Sequence, residues 1–138
     1  MSETEYALAP IGFLRSPLKQ RADAPKQARE GAPNAWLDVS AAVAEGLEGI
    51  EVGQDLILIT WLHQSDRATL RVRPRGDEAR PMTGVFATRS PDRPNPLGLH
   101  RVTVLAIEGH SLNVGPIEAI DGTPVVDIKP ALTRLCDS

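Results

Sequence analysis

Apolar residues in this chain gather in short runs separated by Gly and Pro, and only some of the runs alternate with polar positions. Asp55 to Leu62 (Asp-Leu-Ile-Leu-Ile-Thr-Trp-Leu) is nearly continuously apolar, which predicts a central strand buried on both faces. Thr69 to Arg73 sets Leu70 and Val72 between arginines, the alternation of a half-exposed strand. Further strands are predicted over Met82 to Thr88, Arg101 to Ile107, Ser111 to Val114 and Val125 to Lys129, with Glu108-Gly109-His110 turning one hairpin. Upstream, Ala7 to Leu14 reads as a first strand interrupted by Pro10 and Gly12, and Leu37 opens a short one. Ser40 is placed to cap a short helix over Ala41 to Leu47, closed by Gly49. Arg15 to Asn34 is polar, Pro-dotted and without a period, a long loop of the kind that is either functional or disordered. Short strands with Gly/Pro turns predict a mainly β fold, a single small β-barrel-like domain with one or two short helices. A Gly-rich strand-to-helix turn is missing, which argues against a Rossmann nucleotide fold.

Composition narrows this picture. A chain of 138 residues suits one domain. The core must be aliphatic, because aromatics make up only 4%. Cys136 stands alone, so neither a disulfide framework nor a Cys-based metal site is expected. No apolar run reaches membrane-span length and the N-terminus lacks a signal-peptide pattern, so no membrane partner and a cytoplasmic location are expected. The net charge of −3 argues against gripping nucleic acid over the whole surface. Charge is uneven, however. From Arg71 to Arg101 there are seven Arg against Asp77, Glu78 and Asp92, a local +4, which leaves −7 for the remainder. An anionic or phosphate-bearing partner would be drawn to that stretch, although a solvated arginine-rich sheet face has the same charge.

Inside the basic stretch lies Gly84-Val-Phe-Ala-Thr-Arg-Ser-Pro-Asp-Arg-Pro-Asn-Pro-Leu-Gly98. Pro91, Pro94 and Pro96 each fix φ and push the preceding residue out of the α region. The segment is therefore stiff and extended while carrying Arg89, Asp92, Arg93 and Asn95. Such stiffness suits a site that holds charged groups in fixed relation, since preorganisation lowers the entropic cost of binding. The bland alternative is a surface turn with scattered charges. The histidines His63, His100 and His110 lack metal-ligand spacing, and no nucleophile elbow occurs. His63 follows the apolar strand directly, where an imidazole can donate, accept or move a proton; a histidine bonded to backbone reads equally well. In Glu118 to Pro130, Asp121-Gly-Thr-Pro is good turn chemistry. Glu118, Asp127 and Lys129 interrupt apolar sequence and need partners, for which Arg89 and Arg93 are the natural candidates.

The motif from Gly84 to Gly98, followed by Asp121-Gly-Thr-Pro-Val-Val-Asp-Ile-Lys-Pro130, resembles the TsaA-like (TrmO-type) family. Ile11-Gly with Ser16-Pro17, Pro25-x-Gln27 and Trp61-x-His63 extend the resemblance from about Pro10 to Pro130. It implies an S-adenosylmethionine-dependent methyltransferase on a small β-barrel, acting as a homodimer with the cofactor pocket near the interface. The implied substrate is N6-threonylcarbamoyladenosine beside the tRNA anticodon, methylated at N6. Carried over by motif, the cofactor pocket draws on Pro25, Lys26, Gln27, Leu62, His63, Arg89, Leu99, Glu118, Ala119 and Asp121. Arg89 or Arg93 suits the cofactor's carboxylate, Glu118 or Asp121 its ammonium or ribose, and His63 and Asp121 are candidate bases. No metal is implied. Residues 1–138 are expected to form one such domain, without the C-terminal extension of longer members. Methyl transfer to another RNA or small molecule, and cofactor binding without turnover, stay open.

Overall fold

The computed structural model describes residues 4–24 and 31–132. Six antiparallel strands close into a barrel in the order β1-β2-β7-β6-β3-β8: β1 Gly12–Arg15, β2 Ala35–Val39, β3 Asp55–Trp61, β6 Leu97–Glu108, β7 Ser111–Gly115 and β8 Pro124–Pro130. A separate two-stranded ribbon, β4 Arg71–Val72 and β5 Thr83–Gly84, sits on the long connection between β3 and β6. The predicted mainly β barrel is thus the observed architecture.

β6 is what closes it. Its first half pairs with β3, from Asp55 opposite Thr103 to Trp61 opposite Leu97. Its second half pairs with β7, and the ladder shifts register between Val104 and Ala106. An extra residue there bends the strand, so one element serves two walls. Leu14, Leu37, Leu56, Leu58, Val104, Leu112, Val114 and Val125 fill the interior, as the aliphatic composition requires.

Several boundaries differ from expectation. β3 buries Leu56, Leu58 and Thr60, whereas Ile57, Ile59 and Trp61 on the outer face are only half-buried; the apolar run reflects a partly covered outer wall. The first strand is confined to Gly12–Arg15, because Ala7 to Pro10 lie exposed without ladder partners. Ala41–Leu47 is 3₁₀ rather than α-helical, capped as expected by Ser40, whose Oγ accepts from the Ala42 amide at 3.4 Å. Seven residues with no buried face supply little to stabilise an α-helix. The strand expected over Met82 to Thr88 shrinks to β5 and turns into a 3₁₀ loop at Val85–Ala87. The Val85 carbonyl there accepts from the Thr88 amide at 3.1 Å, the Thr88 hydroxyl at 2.9 Å and the Arg93 guanidinium, so it is unavailable to a ladder. No described helix is long and apolar enough to cross a membrane.

Candidate functional site

Antiparallel pairing brings the C-terminal ends of β1 and β3 to the same rim as the N-terminal ends of β6 and β8. Three of the segments the sequence singled out leave the barrel from this rim: His63 just after β3, the Pro-rich motif just before β6, and Glu118 to Asp121 just before β8. Within the motif, the proline carbonyls act as acceptors. Pro96 accepts from the Leu62 amide at 2.8 Å, and Pro94 from Arg67 Nε at 2.7 Å.

Glu118 is the most constrained group of the rim. Its Oε1 lies 2.7 Å from His100 Nδ1, and His100 Nε2 lies 2.7 Å from Thr60 Oγ1. His100 is 5% exposed and Thr60 wholly buried, so the three form a polar chain running from the rim into the barrel. Burial pushes the Glu118 carboxyl up, but the hydrogen bond from His100, its own amide and the nearby Arg89 outweigh that and hold it below the usual carboxylate range. Glu118 therefore stands anionic in a largely dry wall. Its hydrogen-bond partner is His100; of Arg89 and Arg93, the candidates considered from sequence, Arg89 acts on it electrostatically.

The two motif arginines have different surroundings. Arg93 Nη2 donates to the carbonyls of Val85 and Thr88, the latter at 2.8 Å, and its Nε is buried without a partner among the described residues. Arg93 thus ties the loop to itself. Arg89 is exposed and makes no side-chain hydrogen bond among the described residues, while acting electrostatically on Glu118. Asp92 joins three segments: Oδ2 accepts from Arg21 at 2.9 Å and Oδ1 from the Asp66 amide at 2.9 Å. Burial raises its pKa, yet these donors bring it below the ordinary range.

Asp121 is occupied by the loop after β1. Its Oδ1 accepts from the Ser16 amide at 2.9 Å, Oδ2 lies 3.3 Å from Lys19 Nζ, and its own amide donates to the Leu18 carbonyl at 2.6 Å. The Ser16 amide lowers its pKa most, and with Lys19 outweighs the opposing effect of burial. Gly122 completes the turn at φ 83°, which a side chain would strain. Asp127 and Lys129 pair with each other at 3.2 Å on the outside of β8, so neither needs an arginine of the motif.

His63 lies exposed in the turn after β3, and Leu62 is half-buried beneath it. Leu99 projects from the outer face of β6, 52% exposed, and Ala119 is buried. Pro25, Lys26 and Gln27 lie outside the described residues. The structure thus gathers Glu118, Arg89, Leu62 and His63 about one rim and holds Asp121 to the loop leading toward Pro25. It sets Leu99 on the outer wall. A cleft of about 560 Å³ beside Asp121 is lined by Arg15, Lys19, Trp36 and Asn113. A second cavity of about 440 Å³ sits at the opposite barrel end, under Val43 and Leu47, with Asp127 of β8 among its lining.

Thr60 and His100 were not anticipated. A signal was present: Gly98, His100, Val102 and Val104 occupy alternate positions of one strand. A histidine in phase with two core valines must find polar partners inside. Among the described residues no group of three His, Cys, Asp or Glu could hold a metal ion.

Comparison with known proteins follows this architecture. A probable S-adenosyl-L-methionine-binding protein of Methanothermobacter thermautotrophicus is 42% identical over 130 residues, spanning 94% of this chain and 93% of the relative. An S-adenosyl-L-methionine-binding protein of Archaeoglobus fulgidus is 42% identical over 122 residues, covering 88% of this chain and 86% of its own length. The crystal structure of TrmO from Pseudomonas aeruginosa superimposes with a TM-score of 0.74 at 30% identity, over 98% of this chain and 61% of that one. The family model for the tRNA-methyltransferase O N-terminal domain matches residues 13–138, and the chain belongs to that family.

Proposed function

We propose that this protein binds S-adenosylmethionine at the rim shared by β3, β6 and β8, and methylates N6 of N6-threonylcarbamoyladenosine beside the tRNA anticodon. The observation that carries the reading is Glu118, kept anionic in a mostly buried wall within the electrostatic reach of the exposed Arg89. That pair matches the charged ends of an amino-acid tail. Arg89 has a guanidinium to offer a carboxylate through two parallel hydrogen bonds, and Glu118 accepts from an ammonium or ribose hydroxyl. Leu62 supplies apolar surface at the rim, with Leu99 on the outer wall. The cofactor supplies an electrophilic methyl group, and the protein's main contribution is alignment of the acceptor with it.

Of the two candidate bases, Asp121 has its carboxylate engaged by the Ser16 amide and Lys19, which hold it below the ordinary carboxylate range, so it makes a poor proton acceptor. His63, exposed at the same rim, is the better base. The exposed arginines Arg71 and Arg89 supply cationic surface for RNA. Leu97, Leu99 and Leu105 leave apolar surface on the outer face of β6, in one row with Thr103 and with Arg101, which pairs with Asp55, and the exposed leucines support a second copy covering Leu99 and completing the pocket.

The test is twofold. Calorimetry with S-adenosylmethionine is expected to show saturable binding that weakens by about tenfold or more in Arg89→Ala, the scale of a lost charge-assisted bond. tRNA from cells lacking the methylated nucleoside is then expected to accept a methyl group with release of S-adenosylhomocysteine. A second reading, cofactor binding without turnover, is favoured by the archaeal relatives' names, which carry a cofactor and no acceptor. Tight binding with no S-adenosylhomocysteine formed on any tRNA pool would establish it. Unchanged affinity in Arg89→Ala would remove Arg89 from the pocket.

A further inference from the structure

We infer that His100 is a positioning residue for the cofactor site, acting through Glu118, and that Thr60 sets its tautomer; this rests on the reading of Glu118 as a cofactor acceptor. The hydrogen-bond inventory admits a consistent assignment. An ionised Glu118 only accepts, so His100 Nδ1 must carry the hydrogen between them. The Thr60 hydroxyl can then donate to Nε2, which leaves both ring nitrogens satisfied inside the barrel. The imidazole cannot turn without breaking one 2.7 Å contact at each end. Glu118 is thereby fixed through Oε1, and the carboxylate keeps acceptor capacity for a donor arriving at the rim.

The backbone is built around this chain of groups. A Cβ at Gly98 would lie 2.5 Å from Thr60 Oγ1 and 2.7 Å from His100 Nε2, on top of the bond between them. Gly98 stands opposite Thr60 in the β3–β6 ladder, and His100 opposite Leu58. The last glycine of the Pro-rich motif is therefore required by the Thr60–His100 contact. The same strand start that delivers the motif to the rim also makes room for the group that orients Glu118.

The experiment is a double-mutant cycle read by S-adenosylmethionine affinity, with thermal unfolding recorded for each variant. His100→Leu, which removes both nitrogens, is expected to weaken binding about tenfold, the order of a hydrogen bond to a charged group. His100→Asn, whose amide can replace the Nδ1–H donor, is expected to recover most of that loss. In a Glu118→Gln background His100→Leu is expected to add little, because the group it positions is already altered. Nitrogen-15 NMR is expected to show the Nδ1–H form for His100 and its disturbance in Thr60→Val. If His100→Leu does not fold, His100→Asn and Thr60→Val carry the test: affinity near wild type for the former and a measurable loss for the latter are required. A full His100→Leu penalty persisting with Glu118→Gln, or wild-type affinity in His100→Leu, overturns the inference while the proposed function stands. Absence of binding by the wild-type protein overturns both.

Discussion

Glu118 shows how a single carboxylate acquires a role from its surroundings. Alone in an apolar stretch it is an energetic anomaly, and sequence marks it as needing a partner without saying which. The partner turned out to be a histidine eighteen positions earlier, on the neighbouring face of the same barrel end. Because the folded protein holds this carboxyl below its unfolded value, its ionisation stabilises the fold above the ordinary carboxylate range. That contribution disappears as pH falls through the lowered folded value. Urea unfolding of wild type and Glu118→Gln is thus expected to show a stability gap at pH 6 that narrows steadily below about pH 4.3, the unperturbed glutamate value. A gap that widened on acidification would show that Glu118 is destabilised, not stabilised, in its ionised form.

The motif between Gly84 and Gly98 behaves as a clamp among elements. Its prolines read from sequence as stiffeners for two ligand-binding arginines. Arg93, however, spends Nη2 on the carbonyls of Val85 and Thr88, and Asp92 ties the loop after β1 to the turn after β3. Arg21 is one end of that tie and lies four residues before Pro25. Asp92→Ala is therefore expected to release the Lys19 to Ala24 segment and to lower cofactor affinity by about threefold to tenfold, with a smaller loss of stability since the ion pair is partly exposed. Limited proteolysis would report the released segment as faster cleavage around Arg21. An unchanged cleavage rate together with unchanged affinity would show that the tie has no such function.

Viewed whole, the molecule is an acidic barrel with an arginine-bearing excursion, and its β6 wall exposes Leu97, Leu99 and Leu105 on the outside beside the Arg101–Asp55 ion pair. Sedimentation is expected to show a dimer, and Leu99→Glu, which places a carboxylate among the exposed leucines of that outer wall, is expected to give a monomer with weakened cofactor binding. A wild-type monomer that binds the cofactor fully would exclude the shared pocket. Strand positions, the aliphatic core and the rim motif were legible from local pattern, because alternation, proline stiffness and turn glycines act over a few residues. The short helix formed where Ser40 and Gly49 bound it, as 3₁₀ for want of a buried face, whereas the Met82–Thr88 strand is cut to β5 because the Arg93 guanidinium and Thr88 claim the Val85 carbonyl. His100 and Glu118 each carried a local sign of needing a partner, but their pairing with each other and with Thr60 could not be read, since the members lie 40 and 18 positions apart and meet only through the β3–β6 register and barrel closure. Local chemistry is written in neighbouring residues, whereas the pairing of buried polar groups depends on barrel closure, which brings distant strands to one rim.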